Sequence, residues 1–402
     1  MKIVVIGGGA AAFFFAANAV HFDPSLEIVI LEQAKDVLQK VRISGGGRCN
    51  VTHACFDPEA LVEYYPRGGK ELLGPFYAFG PEQTVEWYAQ RGVRLKTEED
   101  GRMFPTTDHS KTIIDCLMRA TYRGKVELRK RSKVTNIRPI QGGAEGFWVD
   151  LLKADSLRAD KVLVATGSSK QVWQMLEKLD LAIVSPVPSL FTFQISDPRL
   201  QGLAGISLPR AKVCIPDAGL ESEGPLLITH KGLSGPAVLK LSAWGARFFY
   251  QCNYRADLVV DFCPEMSIKD LRRLRDAAGK KLVGNHQVLN LPRRLCATLL
   301  QEAAIDVQQK WASVSNRTIE QMAEALKKAT FSIKGQNRFK EEFVTAGGVD
   351  LKEIDFSDFS TRRYPNLHLA GEVLNIDAVT GGFNFQAAWT GAFLVAAGIS
   401  QA

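Results

Sequence analysis

Cysteine is scarce in this chain and is never arranged in pairs. The 402 residues include seven cysteines, and none of them forms a CxxC pair or stands with histidine at the spacing of a metal site. A disulfide-stapled scaffold and a zinc site are therefore excluded as organising features. Unpaired cysteines of this kind are typical of a reducing compartment. We expect a cytoplasmic protein without a metal.

Long uninterrupted apolar runs are also absent. The run from Ile3 to Val20 is the candidate for an export signal or a membrane span, but the glycines Gly7–Gly9 interrupt it, and no cleavage region or second span follows. We therefore expect no membrane association. A hydrophobic fraction of 46% and a charged fraction of 23% are typical of a globular chain, here long enough for two or three domains.

Recognisable nucleic-acid modules are absent as well, although the chain is basic. The net charge is +7, and much of the excess lies in two runs, Glu127–Lys133 and Arg272–Lys281. Runs of this kind are more often solvated faces than nucleic-acid sites. We expect a mild preference for anionic ligands and a small-molecule substrate, and do not expect nucleic acid as a partner.

The most informative stretch is Lys2–Glu32, which predicts a strand, a turn, a helix and a second strand. Its glycines have the spacing Gly7-x-Gly9-x-x-Ala12, that of a dinucleotide-binding turn with alanine at the third position. Gly7 permits a tight turn, Gly9 lets the backbone approach a diphosphate, and Ala12 lets the helix lie on the sheet. Glu32 ends the second strand, where a carboxylate binds ribose hydroxyls. The stretch therefore predicts a nucleotide site.

A second glycine-rich stretch, Lys40–His53, follows closely and contains the string SGGGRCN at Ser44–Asn50. Its three glycines expose backbone N–H groups, and Arg42 and Arg48 supply guanidinium donors, which suits a diphosphate or an electron-rich ring. A nicotinamide cofactor has no evident need of a second loop of this kind. A larger cofactor in two parts, such as FAD, does.

Together these motifs resemble those of the glutathione-reductase-type FAD proteins. The string at Ser44–Asn50 is similar to one branch, the BaiN-like bacterial flavoproteins, which includes enzymes that reduce unsaturated bile-acid intermediates and an aminoacetone oxidase. The resemblance extends over essentially the whole chain. It departs from the family at Ala12, at Asn375 and Ala378, where relatives more often have aspartate and glycine, and at Ser360–Arg363, which leaves room for a different substrate or partner.

The resemblance implies how the rest of the chain contributes to an FAD site. Val134 meets the adenine through its backbone, and Val162–Gly167 is similar to the strand end that passes beneath the cofactor. Gly371 and Glu372 bind the ribityl chain. The helix that follows, through Ala397, points its N-terminus at the flavin pyrimidine, where it stabilises the negative charge of a reduced ring. The expected cofactor-binding residues are Gly7, Gly9, Ala10, Ala11, Glu32, Gln33, Lys40, Ser44, Gly45, Gly46, Gly47, Arg48, Cys49, Asn50, Val134, Thr166, Gly167, Gly371, Glu372, Asp377, Gly381, Gly382, Asn384 and Phe385.

Three further residues have expected roles with alternatives. Asn384, after the close-approach pair Gly381 and Gly382, is expected to cap the last helix. Cys49 is either a low-pKa thiol that exchanges electrons with the flavin or, as we favour, a packing or backbone contact, since no second cysteine stands at CxxxxC spacing. His230 is the candidate for proton transfer, with a structural role favoured.

We predict an α/β fold: a Rossmann-type FAD-binding domain of the glutathione-reductase type with an inserted β-barrel-like unit and a small helical unit. Pro186 and Pro188 mark the start of the insertion. The FAD-binding domain is expected to be discontinuous, 1–187 and 337–402. The insertion is expected to cover 188–336, β-rich over about 188–264 and helical over about 265–336.

The segments between the motifs predict individual elements. Phe56–Arg123 is expected to be helical, with a break at Gly101–Pro105 whose Arg102 either pairs with a substrate acid or belongs to a surface turn, and Gly142–Gly143 is expected to be a turn. The predicted strands are Val126–Leu128, Val134–Ile137, Phe147–Leu152, Lys161–Val164, Ala211–Ile215, Leu226–Thr229, Leu258–Phe262 and one ending at Glu372. The predicted helices are Pro81–Gln90, Ile268–Ala278, Leu291–Ala303 and Ile319–Lys328.

The favoured function is an FAD-dependent oxidoreductase that reduces a small organic substrate at the flavin N5 with electrons from NAD(P)H. No side chain is assigned a catalytic role, because the cofactor does the redox chemistry. No second GxGxxG is present, so NAD(P)H is expected to bind transiently at the flavin or not at all. The alternatives are a flavin oxidase of small amines or aminoketones, a flavin-dependent RNA-modifying enzyme and a non-catalytic flavoprotein.

Overall fold

The computed structural model describes residues 1–140, 145–285, 289–337 and 344–401. The chain divides into two compact units, which we call unit 1 (Met1–Val187 with Lys340–Ala402) and unit 2 (Pro188–Phe339). Unit 1 therefore combines both ends of the chain, whereas unit 2 is one continuous segment.

Unit 1 is built on a seven-stranded sheet. Its strands are β1 (Lys2–Ile6), β2 (Glu27–Leu31), β6 (Val126–Arg129), β10 (Lys161–Val164), β19 (Ile354–Asp355), β20 (Ser360–Thr361) and β21 (Leu367–Leu369). They lie in the order β19-β20-β21-β10-β1-β2-β6, and the pairs from β21 to β6 are parallel. Ile3, Val4 and Val5 are fully buried, because a parallel sheet is covered on both faces.

Two long apolar helices of unit 1, α1 (Ala10–Phe22) and, near the C-terminus, α13 (Phe383–Gln401), pack against each other. The other helices of unit 1 are α2 (Gln39–Gly47), α3 (Pro58–Val62), α4 (Gly69–Ala78), α5 (Pro81–Ala89), α6 (Ser110–Thr121) and α7 (Lys170–Glu177). Helix α1 buries residues on every side, and the Phe14 ring lies 5.0 Å from that of Trp389 in α13. The first and last helices of the chain therefore share one core.

Three smaller sheets complete unit 1. The first contains β3 (Thr52–His53), β4 (Leu95–Thr97) and β5 (Arg102–Pro105) in the order β3-β5-β4. The second contains β7 (Val134–Pro139), β8 (Phe147–Leu151) and β9 (Leu157–Ala159) in chain order. In the third, β11 (Ile183–Ser189) pairs with β18 (Val344–Val349). Strand β4 corrects the prediction of a helix before Gly101, and β5 shows that Arg102, in the predicted break Gly101–Pro105, lies in a strand instead of a surface turn. The reason is that Met103 and Phe104 are buried and β5 pairs on both sides. The turn predicted at Gly142–Gly143 lies outside the described residues.

Unit 2 contains a closed six-stranded barrel followed by helices. The barrel strands are β12 (Thr192–Ile195), β13 (Ser207–Ile215), β14 (Leu220–Thr229), β15 (Gly232–Ser234), β16 (Ala256–Asp261) and β17 (Ala329–Asn337), closed in the order β12-β15-β14-β13-β16-β17. The helices are α8 (Pro236–Trp244), α9 (Ala246–Gln251), α10 (Ile268–Ala277), α11 (Arg293–Glu302) and α12 (Asn316–Lys327). Barrel and helices share one hydrophobic core, which includes Phe193, Phe331 and Trp311. The predicted β-barrel-like and helical parts of the fold are confirmed.

Candidate functional site

The glycine-rich turn between β1 and α1 is formed as predicted. Gly7 has a φ of +104°, and its N–H donates to the Leu31 carbonyl at 2.8 Å. A Cβ atom at Gly7 would lie 2.5 Å from the Ala165 carbonyl oxygen. Both the backbone conformation and the lack of space therefore require glycine here.

Glu32 has a structural role that the sequence did not reveal. Its carboxylate accepts hydrogen bonds from the N–H of Gly8 and from that of Ala34, each at 2.7 Å, one on each oxygen. The glycine turn is thus tied to the residue predicted to bind ribose, and each oxygen retains a lone pair for a ligand hydroxyl. The Glu32 carbonyl also accepts a hydrogen bond from the Ser132 N–H at 2.8 Å, which brings the start of β7 at Val134 close to Glu32.

The N-terminus of α1 suits an anion. Gly9 is the N-cap, no side chain caps the helix, and the first turn contains no acidic residue. Among the described atoms, a Cβ at Gly9 would have only Ala165 O within 4 Å, at 3.9 Å, so space is open beside the helix end. The small residues Ala10 and Ala11 continue this surface. Free backbone N–H groups at the positive end of the helix dipole are the donors that a diphosphate requires.

The second glycine-rich loop forms the end of α2. Gly45, Gly46 and Gly47 have φ values of 57°, 69° and 85°, and a Cβ at Gly46 would meet nothing within 4 Å. This left-handed stretch is open on one side and presents backbone to that space.

Cys49 is held inside the protein behind this loop. It has a φ of +65°, is fully buried, and its N–H donates to the Ser44 carbonyl at 3.0 Å. Burial raises the pKa of its thiol to about 12. The alternative of a low-pKa redox thiol is therefore wrong, because the reactive thiolate does not form near neutral pH.

Arg48 and Arg102 are both engaged by acidic residues of unit 1. Arg48 Nη1 donates to Glu98 Oε1 at 2.5 Å, and its guanidinium lies 3.9 Å from the centroid of the Phe104 ring. The hydrogen bond to Glu98 raises the pKa of the Arg48 guanidinium. Arg102 donates to Asp100 at 2.7 Å and to Glu98 at 3.1 Å. Binding of a ligand by either arginine stays a prediction.

The structure brings the C-terminal glycine–acid pair to the N-terminal motifs. Lys40 donates to Glu372, a residue 332 positions away. A Cβ at Gly167 would lie 3.5 Å from Glu372 Oε2, and one at Gly371 would lie 3.7 Å from the Ala11 Cβ. The predicted ribityl residues, the strand end at Gly167 and the first helix therefore lie side by side.

Asn50 and Gly382 form a second cradle next to the last helix. A Cβ at Gly382 would lie 2.5 Å from the Thr52 carbonyl oxygen and 2.8 Å from Asn50 Oδ1. Asn50 is 8% exposed, and its Oδ1 is without a hydrogen-bond partner among the described residues. The Asn375 Oδ1 is also buried without a hydrogen-bond partner among the described residues. Buried acceptors without partners are rare in folded proteins and fit a ligand that donates a hydrogen bond, as the N3–H of a flavin ring does.

Two predicted residues near α13 make close contacts within the protein. Asp377 is fully buried, and both carboxylate oxygens accept from Arg67. Asn384 lies inside the helix, which begins at Phe383, and its amide bonds both backbone groups of Ala378, at 3.0 and 3.1 Å. The prediction that Asn384 caps the helix is therefore wrong, because its side chain folds back on the preceding loop.

The remaining predicted residues are distributed around these contacts. Thr166 donates to the Gly167 carbonyl at 3.3 Å, and the Phe385 ring stacks on Trp389 at 5.5 Å. Gln33 is exposed. His230 is exposed in the turn between β14 and β15 of unit 2. No contact of these residues distinguishes a ligand-binding role from a structural one.

Several residues of this region were missed by the sequence. Arg67 is the partner of Asp377, and Tyr65 donates its hydroxyl to the Phe383 carbonyl at 2.6 Å. The Phe383 ring stacks on Tyr64 at 4.3 Å and on His53 at 4.5 Å. These contacts join residues more than 300 positions apart, so no local sequence pattern predicts them. The aromatic cluster in the segment Tyr64–Tyr65 was the only signal.

Solved structures of known proteins share this fold. The 3-ketosteroid delta1-dehydrogenase from Sterolibacterium denitrificans superposes with a TM-score of 0.54 at 13% sequence identity and 99% coverage of each chain. The open conformation of a flavocytochrome c3 fumarate reductase gives a TM-score of 0.51 at 13% identity, covering 100% of this chain and 78% of that one. At these identities the likeness shows the fold alone.

Fold, site and sequence together define an FAD-dependent oxidoreductase. The chain matches the family described as HI0933-like protein Rossmann domain over residues 1–398, and it belongs to that family.

Curated relatives cover nearly all of the chain. It is 28% identical to the ribosomal RNA dihydrouridine synthase of Escherichia coli over 92% of this chain and 91% of the relative. It is 25% identical to that of Haemophilus influenzae over 99% and 98%. It is 26% identical to the 3-dehydro-bile acid delta(4,6)-reductase of Clostridium scindens over 98% and 97%. The resemblance to BaiN-like flavoproteins is confirmed.

Within the parts of the chain that are described, no helix combines the length and the apolar character needed to cross a membrane.

Proposed function

We propose that the protein uses FAD to reduce a carbon–carbon double bond conjugated to a carbonyl group, with NAD(P)H as the electron source. The supporting observation is the chemistry shared by the names of its relatives. Dihydrouridine is uridine whose C5=C6 bond, conjugated to the C4 carbonyl, is saturated. In a 3-dehydro acid, delta(4,6) double bonds are conjugated to the 3-oxo group. When bound, FAD supplies a carrier that accepts a hydride from NAD(P)H and delivers it to such a bond, while solvent supplies the proton.

The favoured substrate is a uridine of ribosomal RNA. Two of the relatives are ribosomal RNA dihydrouridine synthases, and their alignments run over at least 91% of both chains. The sequence alone favoured a small molecule, because basic runs without a nucleic-acid module are weak signals. Full-length similarity to two enzymes with one named substrate is a stronger argument than the runs.

The residues of unit 1 have distinct roles in this proposal. The open N-terminus of α1 at Gly9–Ala11 binds the diphosphate, and Glu32 binds the adenosine ribose. Glu372, oriented by Lys40, binds the ribityl hydroxyls. Asn50 Oδ1 accepts the ring N–H, which satisfies an acceptor that has no hydrogen-bond partner in the described part of the chain. Uncharged acceptors and amide donors of this kind orient the ring without repelling the charge of its reduced form.

The experiment has two stages. The purified protein is examined by visible absorption, then mixed with NADPH or NADH under nitrogen, and we expect a flavin spectrum that bleaches with at least one of them. The reduced protein is next incubated with an in vitro transcript of ribosomal RNA, and dihydrouridine is measured by mass spectrometry. Free FAD with heat-denatured protein is the control. A colourless protein that takes up no FAD contradicts the whole proposal.

A second candidate substrate is a small 3-oxo compound with a conjugated double bond, which the Clostridium scindens relative favours. A bleached flavin that is reoxidised anaerobically by a 3-oxo-4-ene steroid, but not by the RNA transcript, selects this substrate. An oxidase differs at the first stage: neither nicotinamide bleaches the flavin, whereas a small amine or aminoketone does.

A further inference from the structure

The excess positive charge of the protein is concentrated in unit 2. Residues 188–339 contain 21 Lys and Arg against 13 Asp and Glu, a net charge of +8. The residues of unit 1 contain 29 Lys and Arg against 30 Asp and Glu, a net charge of −1. Unit 2 is therefore the part of the molecule whose charge complements a polyanion.

Helix α10 has the densest run of arginines in unit 2, but its charge is locally compensated. Arg272 Nη2 lies 3.6 Å from Glu320 Oε1, and Arg273 Nη1 lies 3.2 Å from Asp270 Oδ1. An arginine beside a carboxylate attracts a phosphate less than an arginine without one, because the positive and negative charges of the pair largely cancel for a more distant ligand. The run that stands out in the sequence is thus not the strongest candidate for contact with a polyanion.

Another segment of unit 2 has no acidic residues at all. Residues 224–256 contain no Asp or Glu, although they include Lys231, Lys240, Arg247 and Arg255. The segment spans the end of β14, strand β15 and helices α8 and α9. Over these 33 residues the side chains that are charged at neutral pH are all positive.

Large aromatic side chains are exposed in the same segment. Trp244, the last residue of α8, is 47% exposed, and Tyr250 in α9 is 56% exposed. On the other faces of these helices, Leu241 and Phe249 are buried in the core of unit 2. The helices are therefore anchored, and their exposed rings are available for contact. Exposed Trp and Tyr rings on an anchored helix are able to stack on a ligand at little cost in conformational entropy.

The cationic and aromatic residues alternate. Lys240, Trp244, Arg247 and Tyr250 follow one another at intervals of four, three and three residues, and only Gly245 separates α8 from α9. Lys240 and Trp244 lie at the i,i+4 spacing of neighbouring side chains in α8, and Arg247 and Tyr250 lie at the i,i+3 spacing in α9. We call these four residues the α8–α9 stripe. Cations spaced between rings match a chain of phosphates spaced between bases.

We propose that the α8–α9 stripe binds a single-stranded segment of the RNA that contains the uridine to be reduced, an inference that rests on the proposed function. Trp244 and Tyr250 stack on unpaired bases, and Lys240 and Arg247 contact phosphates. Single-stranded RNA is specified because the base faces of a duplex are covered by their neighbours and are not open to side-chain rings. The stripe thus fits a loop or an end of ribosomal RNA.

The test uses the FAD-loaded, full-length protein and a fluorescein-labelled 15-nucleotide single-stranded RNA, with fluorescence anisotropy over a range of salt concentrations. Trp244→Ala and Tyr250→Ala are each expected to weaken binding about fivefold or more without changing the salt dependence, because stacking is not ionic. Lys240→Gln with Arg247→Gln is expected to make the slope of log affinity against log salt shallower by about 1.4, since two single-strand phosphate contacts are lost.

The controls come from unit 1. Trp148 is 36% exposed and Tyr77 is 60% exposed, and Trp148→Ala and Tyr77→Ala are expected to bind RNA as the unsubstituted protein does. Lys130→Gln with Arg131→Gln, two exposed cations of the other basic run, is the charge control. Flavin content and thermal midpoint verify that each variant is folded, and the duplex form of the same RNA is expected to bind more weakly.

Each remaining result has a definite meaning. Stripe variants that bind as tightly as the controls overturn the proposal, as does an unsubstituted protein that does not bind the RNA. Trp244→Ala that converts a dimer to a monomer also overturns it, because the stripe then contacts a second copy. If RNA is reduced to dihydrouridine but the stripe variants are unaffected, the proposed function stands and the stripe fails. If the stripe variants lose RNA binding while no RNA is reduced, the stripe stands and the substrate assignment fails.

Discussion

The two units of this protein handle charge in opposite ways. Unit 1 is nearly neutral and contains a buried ion pair, Arg67–Asp377, in which the aspartate is fully buried. Unit 2 has a net charge of +8 and keeps pairs such as Arg210–Glu223 at its surface. A buried pair orders its surroundings, whereas a net positive charge attracts anionic ligands from solution. Unit 1 is thus suited to holding a cofactor in one position, and unit 2 to attracting a large anionic substrate.

Glycines with positive φ values serve two purposes in this protein. Gly7 and Gly382 in unit 1 and Gly232 in unit 2 lie so close to backbone atoms that a Cβ would be less than 3 Å from a carbonyl oxygen. Gly46 in unit 1 and Gly219 in unit 2 have positive φ values too, but a Cβ at either would meet no described atom within 4 Å. Glycine at the first three positions therefore permits close approach, whereas at the other two it only turns the chain.

The largest difference between the units is expected when one partner of an ion pair is removed. Arg67→Ala leaves Asp377 buried without its cation, and we expect the free energy of unfolding to fall by about 3–5 kcal/mol. Arg210→Ala removes one partner of an exposed pair and is expected to change the free energy of unfolding far less, because water and salt screen the two charges. Urea unfolding of both apoproteins measures the two values, and equal losses would contradict the distinction between the units.

The next largest effect separates cofactor binding from folding in unit 1. Gly9→Val places a side chain in the open space beside the N-terminus of α1, so we expect FAD affinity to fall about 100-fold, or about 2.7 kcal/mol, with little change in apoprotein stability. Flavin fluorescence titration and thermal melting of the apoprotein measure the two quantities.

Gly74→Val is the matched control for this substitution, because a Cβ at Gly74 has no described atom within 4 Å and is as unobstructed as one at Gly9, but the residue lies in α4. Unchanged FAD affinity in Gly9→Val would show that the cofactor lies elsewhere.

A smaller effect concerns the pH dependence of unit 1. Burial lowers the pKa of His368 to about 4 from its ordinary value of 6.5, against the opposing effect of Asp358. The unfolded chain therefore binds the proton more readily, and the stability contributed by neutral His368 is present above pH 6.5 and lost as the pH falls toward 4. We expect a loss of about 2 kcal/mol between pH 7 and pH 5. His368→Gln should abolish this slope in urea unfolding, while His21→Gln, at an exposed position, should retain it.

The smallest effect is expected at Cys49. Since the pKa of its thiol is raised to about 12 by burial, Cys49→Ala should leave the rate of flavin reduction by NADPH within about twofold and lower stability by about 1 kcal/mol. Stopped-flow absorption under nitrogen measures the rate. A large loss of rate with normal FAD content would show that the Cys49 thiol takes part in the reduction of the flavin.

Much of the fold was predictable, because its strands and helices have strong local patterns. Helix α5 begins at Pro81 as predicted, and the strand predicted at Lys161–Val164 has those bounds. Strand β9 was missed because three residues, Leu157–Ala159, are too short for a clear alternation. Strand β5 was taken for a break because Gly101 precedes it and Pro105 ends it, and both residues usually signal turns.

The sequence by itself determined the nucleotide-binding turn of this protein. Gly7, Gly9 and Glu32 act within one strand–helix–strand unit, so their spacing alone defines the geometry. The tertiary structure decided which distant residues meet there: Lys40 with Glu372, Arg67 with Asp377, and Asn50 with Gly382. These partners are more than 300 positions apart, and pairing at such separation depends on how the two ends of the chain pack, which leaves no periodic trace in the sequence.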